Sequence, residues 1–215
     1  MAEYTVYGMA QSGNAYKVAL MLQLAGADWA PRFVDFFNGE TRTPEFRANV
    51  NEMGEVPVLE HKGLKLSQSG IILDYLTGEL QRFGWRSEAE RREVWRWILW
   101  DNHKLTSYTG SYRYFKCFAP ELAVPEVQSF LFARMKAAYR ILDTHLEGRE
   151  FVAADRPTIA DLSICGYLFF EDEIGISFES DNPHLAAWLK RIKALPGWKH
   201  PYDILPGHPL PPRKA

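Results

Sequence analysis

The chain has 215 residues, 25 basic and 27 acidic side chains, a net charge of −2 and 47% hydrophobic residues. That length suffices for two modest domains with their own cores, and the mixed charge offers no basic stripe for nucleic acid. No run of 18 apolar residues occurs and the N-terminus lacks a signal-peptide pattern, so no membrane contact and a soluble, cytoplasmic protein are expected.

The first eighty residues read as βαβ followed by ββα. Residues 4–7 form a predicted strand, and residues 14–25 a helix with Ala15, Val18, Ala19 and Leu22 at helical spacing and Gly26 as its stop. Residues 32–36 alternate as a second strand. After a loop around Asn38-Gly39, Thr43-Pro44 opens a short helix with proline at its first position. The run GEVPVLE at residues 54–60 then puts Pro57 at the entrance of an apolar strand, where a proline lacks the N–H that pairing needs. A cis Val56-Pro57 bond resolves this and turns the Val56 N–H and C=O outward, toward an extended peptide added as a strand. Lys62-Gly63 is the turn to a second strand at residues 64–66. Ser67 reads as the cap of a helix running to Leu80. That helix start, with Gln68 and Ser69 beside it, suits a carboxylate next to an ammonium. The γ-glutamyl end of glutathione carries both.

Residues 79–85 read as a linker, after which Ser87 and Glu90 form a capping box. The long helix that follows places Val94, Trp97, Ile98, Leu105, Tyr108 and Tyr112 on one stripe, with Asp101 among them. A carboxylate in such a stripe requires a partner. A further helix after Pro125 buries Leu131, Met135, Ala138, Leu142 and Leu146 and ends near Gly148. Thr158 and Asp161 make a second capping box, read as structural, and Asn182-Pro183 caps a last helix to residue 195. The proline-rich tail is expected to run extended over the surface. Cys117 and Cys165 have no CxxC spacing. Thioredoxin-type disulfide exchange is thereby excluded and a dedicated metal site argued against, leaving two buried thiols in a reducing compartment.

GEVPVLE, LSQSG at residues 66–70, VYGMAQSGN at residues 6–14 and FVAADRPTIADLSI at residues 151–164 together resemble the glutathione transferase superfamily, most closely its serine-type, theta-like and bacterial members. The resemblance implies an α/β plus all-α fold, with a thioredoxin-like domain over residues 1–80, a helical domain over 87–200 and an extended tail over 201–215. It also implies that Val56, Pro57, Gln68 and Ser69 bind glutathione, that Ser12 faces its thiol, and that Thr41 and Gly54 stand where the family has His and Lys at the glycyl end. Neither is cationic, which leaves Arg42, Arg47 or weak binding at that end. Asn51-Glu52 also departs from the usual Asn-Pro.

Ser12 makes physical sense at the start of the first helix, where N–H groups and the dipole favour a thiolate; such a serine also serves as a cap alone. Tyr7 is the other hydroxyl, and its place within the strand fits packing better. The resemblance further places Met9, Tyr108 and Tyr112 at the acceptor pocket, adds Asp101 and His103 on the helix that lines it, where a structural hydrogen bond or ion pair is the alternative role for each, and implies a homodimer. Three functions compete: conjugation of glutathione to small hydrophobic electrophiles; another glutathione-dependent reaction such as dehalogenation, isomerisation or peroxide reduction; or a non-catalytic regulatory module on the same fold.

Overall fold

The computed structural model describes residues 2–209. They divide into two units, residues 2–84 with 195–209, and residues 85–194. The first unit is built on strand β1 (Tyr4–Gly8), helix α1 (Gly13–Ala25), β2 (Trp29–Phe33), α2 (Pro44–Asn49), β3 (Val58–His61), β4 (Leu64–Ser67) and α3 (Ser69–Leu80). The sheet order is β2-β1-β3-β4, with β2 parallel to β1 and the other neighbours antiparallel. This is the expected βαβ-ββα arrangement.

One face of the sheet carries Tyr7, Val34, Phe46 and Val58, closed by α2 through Phe46. Thr43 caps α2 by accepting the Phe46 N–H at 3.1 Å, and Pro44 takes the first helical position as predicted. The helix α1 packs against α3, and its Ala15, Val18, Ala19 and Leu22 are fully buried. Gly26 ends α1 at φ +70°, a left-handed conformation that glycine adopts without a β-carbon penalty.

Several boundaries differ from the sequence reading by a few residues, and three differences bear on the site. Strand β2 spans Trp29–Phe33 rather than residues 32–36. It lies at the sheet edge, where Pro31 is tolerated and no buried face imposes alternation; Val34, which supplied the apparent alternation, enters the core beyond the strand. Ser67 belongs to β4, and the cap of α3 is Gln68 at φ +69°, so Ser69 is the first helical residue. The chain also comes back after the helical unit, because residues 195–209 belong to the first unit, and the tail expected to run extended starts instead with a helical turn at Pro201–Ile204, where Pro201 takes the first helical position. Residues 210–215 of the predicted tail lie outside the described residues.

The second unit holds α4 (Glu88–Trp100), a π-helical segment (Asp101–Leu105), α5 (Thr106–Cys117), α6 (Pro125–Leu146), α7 (Ile159–Ile164), α8 (Glu171–Ile174), α9 (Phe178–Asp181) and α10 (Pro183–Lys193); the turn α11 (Pro201–Ile204) follows in the first unit. The predicted long helix is thus interrupted by one π turn. Within the unit, α4 packs on α7, and α6 packs on both α5 and α10. Ser87 caps α4 through the Glu90 N–H at 3.2 Å. The reciprocal half of the predicted box is absent, because the Glu90 carboxylate accepts from the Arg86 N–H and from Arg156.

The Thr158–Asp161 box is complete. Asp161 is fully buried and accepts from the Val152 N–H at 2.9 Å, the Thr158 N–H at 2.8 Å and the Trp188 indole at 3.0 Å. Burial nevertheless pushes its carboxyl above the ordinary range. Both cysteines are free thiols; Cys165 is buried as expected, whereas Cys117 is half-buried. Among the described residues no helix is long and apolar enough to cross a membrane.

Candidate functional site

Strand register gathers most of the predicted site at one end of the sheet. Phe33 pairs with Gly8, Tyr7 with Val58, and Val58 with Ser67. The residues that follow β1, precede β3 and follow β4 therefore share that end: Met9 and Ser12, Val56 and Pro57, Gln68 and Ser69. The segment after β2, which leads to Thr41, leaves from the same end. Helices α1 and α3 both start there, so two sets of open N–H groups and two positive dipole ends belong to one region.

Ser12 is the N-cap of α1, 7% exposed, and its Oγ accepts from the Ala15 N–H at 3.1 Å. Its hydroxyl proton finds no acceptor among the described residues, which leaves a donor beside a helix N-terminus. Tyr7 does not compete for this role. Its hydroxyl donates to the Glu60 carboxylate, the Arg32 guanidinium lies 4.6 Å from its ring, and burial followed by the Glu60 bond raises its pKa.

The Val56-Pro57 peptide bond is cis, as the sequence requires. The sheet begins at Val58, and the Val56 N–H and C=O make no hydrogen bond among the described residues. Both remain available to an extended peptide. At the next corner Gln68 holds a positive φ that side chains rarely adopt, with its Nε2 donating to Glu55 Oε2 at 2.9 Å. This orientation leaves the amide oxygen free of that contact. Ser69 is buried and its hydroxyl has no partner among the described residues, and the N–H groups of Ser69, Gly70 and Ile71 open α3.

At the predicted glycyl end, Thr41 is 2% exposed and packs against Gly54. A β-carbon at Gly54 would lie 2.7 Å from the Thr41 carbonyl and 2.9 Å from an Arg47 guanidinium nitrogen. Glycine is therefore needed for the approach of these two segments as well as for its φ of +67°. Arg47 also donates to the Glu52 carbonyl at 3.2 Å, which fixes its charge across this loop, whereas Arg42 lies over Gly39.

The remaining predicted site residues belong to the second unit. Asp101 is fully buried, accepting from Thr106 at 2.7 Å and from Ser163 at 2.6 Å. This is the structural role that a carboxylate on an apolar stripe requires, and it withdraws Asp101 from contact with a ligand. His103 is exposed, and Tyr108 is half-buried with its hydroxyl 3.4 Å from Arg134. Tyr112 packs against Phe132 with ring centroids 5.3 Å apart and planes tilted by 44°, and Met9, in the first unit, is 5% exposed.

Three residues near the site were not singled out from the sequence. Glu55 meets Gln68, Asn14 in the first turn of α1 has a buried amide oxygen without a partner among the described residues, and Gln11 binds the returning chain. All three lie within the quoted motifs, Glu55 in GEVPVLE and Gln11 and Asn14 in VYGMAQSGN, and that was the available signal. The partner of Gln11, 197 positions away, left no trace in the sequence.

The glutathione S-transferase N-terminal domain model matches residues 2–78 and the C-terminal domain model residues 112–196. A crystal structure of a possible glutathione S-transferase from Rhodopseudomonas palustris is 32% identical, covers 93% of this chain and 98% of its own, and superposes with a TM-score of 0.82. A glutathione S-transferase from Pseudomonas fluorescens is 28% identical over 94% of this chain and all of its own, with a TM-score of 0.85. Protein URE2 of Candida glabrata is 25% identical over 91% of this chain, which spans 66% of that protein. The chain belongs to the glutathione S-transferase family.

Proposed function

We propose that the protein is a glutathione transferase, with Ser12 as the residue that stabilises the glutathione thiolate. The observation that carries this reading is the Ser12 hydroxyl itself: it caps α1 through its oxygen and keeps its proton for an anion. A thiol with an ordinary pKa of about 8.5 becomes mostly ionised at neutral pH when its anion gains about two units of stabilisation. The thiolate then attacks an electrophilic carbon of a small hydrophobic acceptor, forming a carbon–sulfur bond as the leaving group departs.

The rest of the tripeptide has a complementary group at each position. Val56 pairs with the cysteinyl backbone, and the Ser69 hydroxyl with the open N–H groups of α3 takes the γ-glutamyl carboxylate. The Gln68 amide oxygen and Glu55 receive the ammonium, and Arg47 beside Thr41 receives the glycyl carboxylate. The orphaned Asn14 amide is a second hydrogen-bonding group in the first turn of α1. Conjugation of this kind serves detoxification in the cytoplasm. A homodimer would cover exposed apolar side chains such as Met53 and Ile71 on the first unit and Leu99 and Phe130 on the second.

A non-catalytic reading keeps one specific support, the URE2 proteins among its relatives, whose name states no transferase activity. Calorimetric titration with glutathione, with thiolate absorbance followed against pH in the same sample, separates the readings. Binding with a depressed thiol pKa supports the transferase; absence of binding at millimolar glutathione overturns it.

A further inference from the structure

The chain beyond the helical unit returns to the loop that carries Ser12. Tyr16 of α1 donates its hydroxyl to the Lys199 carbonyl at 2.8 Å, and α11 packs against α1. Past α11 the backbone docks along residues 9–11. The Ala10 N–H donates to the Pro206 carbonyl at 2.8 Å. The Gln11 side chain then pairs with the His208 backbone on both sides, its Nε2 donating to the carbonyl at 2.7 Å and its Oε1 accepting from the N–H at 3.1 Å.

Contact is close enough to exclude a side chain between these pairs. A β-carbon at Gly207 would lie 2.8 Å from both Ala10 Cβ and Gln11 Oε1. His208 anchors the end of the segment, 10% exposed, with ring centroids 4.5 Å from Phe37 and 5.0 Å from Phe33 and with Nδ1 3.6 Å from Asp35. Met9, Ala10 and Gln11 are all buried in consequence of this packing or of the sheet below.

We infer that residues 206–208 form a strap that positions Ser12, with Gln11 and His208 as positioning residues for the reaction. The inference rests on the assignment of thiolate stabilisation to Ser12. Between Gly8 and Ser12 the loop has one internal backbone bond, from the Ser12 N–H to the Met9 carbonyl at 3.0 Å. The strap supplies outside partners to Ala10 and Gln11, the two residues that immediately precede Ser12. Without it these hydrogen bonds are lost and the loop gains freedom where the hydroxyl must stay fixed. A misplacement of about 1 Å in a catalytic constellation costs on the order of 100-fold in rate.

Gln11→Ala and Gly207→Val test this in the full-length protein, the first by removing the amide pair and the second by unseating the strap. A strap that positions Ser12 predicts glutathione binding within about threefold of wild type. It also predicts a higher pKa for the bound thiol and a kcat lower by about tenfold or more. Wild-type thiol pKa and kcat in both folded variants overturn the strap while leaving Ser12 in place. A wild-type protein that binds glutathione without depressing its thiol pKa overturns the strap and the Ser12 assignment together. Should Gly207→Val fail to fold, as seen by circular dichroism, Gln11→Ala still decides.

Discussion

The Ser12 oxygen accepts the Ala15 N–H at 3.1 Å while its proton meets no acceptor among the described residues. One side chain thus serves the helix and leaves a donor for a ligand. Ser12→Ala removes both functions. The lost cap costs about 0.5–2 kcal/mol in thermal or denaturant unfolding. The lost donor raises the bound thiol pKa and lowers kcat by about tenfold or more, with glutathione affinity within a few-fold. Ser12→Thr keeps the cap and the hydroxyl and retains most activity. Unchanged turnover in Ser12→Ala removes this residue from the mechanism.

Ser69 and Arg47 mark opposite ends of the proposed tripeptide site, and neither is placed to touch the sulfur. Ser69→Ala and Arg47→Ala are each expected to raise KM for glutathione roughly three- to tenfold, the equivalent of one modest hydrogen bond or screened ion contact. Their kcat stays near wild type, because uniform binding is lost rather than transition-state stabilisation. A fall in kcat without a change in KM contradicts these assignments.

Gln68 combines a left-handed φ of +69° with a place at the cap of α3. A non-glycine residue in that conformation carries strain of about 1–3 kcal/mol, of the kind proteins keep at ligand sites. Gln68→Gly relieves it, so the melting temperature is maintained or rises. Glutathione affinity falls, since the amide that faces Glu55 is gone. Parallel melting curves and KM values test the trade; loss of stability with full affinity is the contrary result.

Local chemistry explains which elements were legible in the sequence. Thr158 and Asp161, Thr43 and Pro44, and Val56 and Pro57 each encode their geometry within a few residues, and each was found where expected. β2 was misplaced because Pro31 sits on an edge where burial imposes no period, while Val34 beyond it is buried. The Gln11–His208 pairing was invisible because it joins two segments without periodicity across 197 positions. The Asp101 stripe was read correctly as helical, but the π turn there rotates the carboxylate's surroundings in a way that spacing does not record.

Asp101 ties the π segment to α7 through Thr106 and Ser163. Asp101→Ala leaves two buried hydroxyls without their acceptor and a space where the carboxylate stood. A loss of about 2–4 kcal/mol in unfolding free energy is expected. Glutathione KM in the folded fraction stays at the wild-type value, since the carboxylate is wholly buried. A raised KM with unchanged stability returns Asp101 to the ligand site.

Glu90 provides the pH-dependent prediction. Arg156 grips its carboxylate with two bonds at 2.6 and 3.1 Å, and Glu90 also accepts from the Arg86 N–H. These contacts, led by Arg156, hold its pKa below the ordinary 4.5 against the opposing effect of burial. A pKa lower in the folded than in the unfolded chain means that the stabilisation is present above the unfolded value of about 4.3 and disappears as pH falls through the folded value. Glu90→Gln is therefore less stable than wild type by about 1 kcal/mol at neutral pH. The difference closes under acid conditions, when the wild-type carboxylate is protonated too. Glu93 is held down in the same direction by Arg96 and titrates in both proteins, so the difference between the two stability curves, rather than either curve alone, isolates Glu90. Chemical denaturation from neutral pH into acid measures it; a gap that persists or widens at low pH contradicts the ion pair as its source.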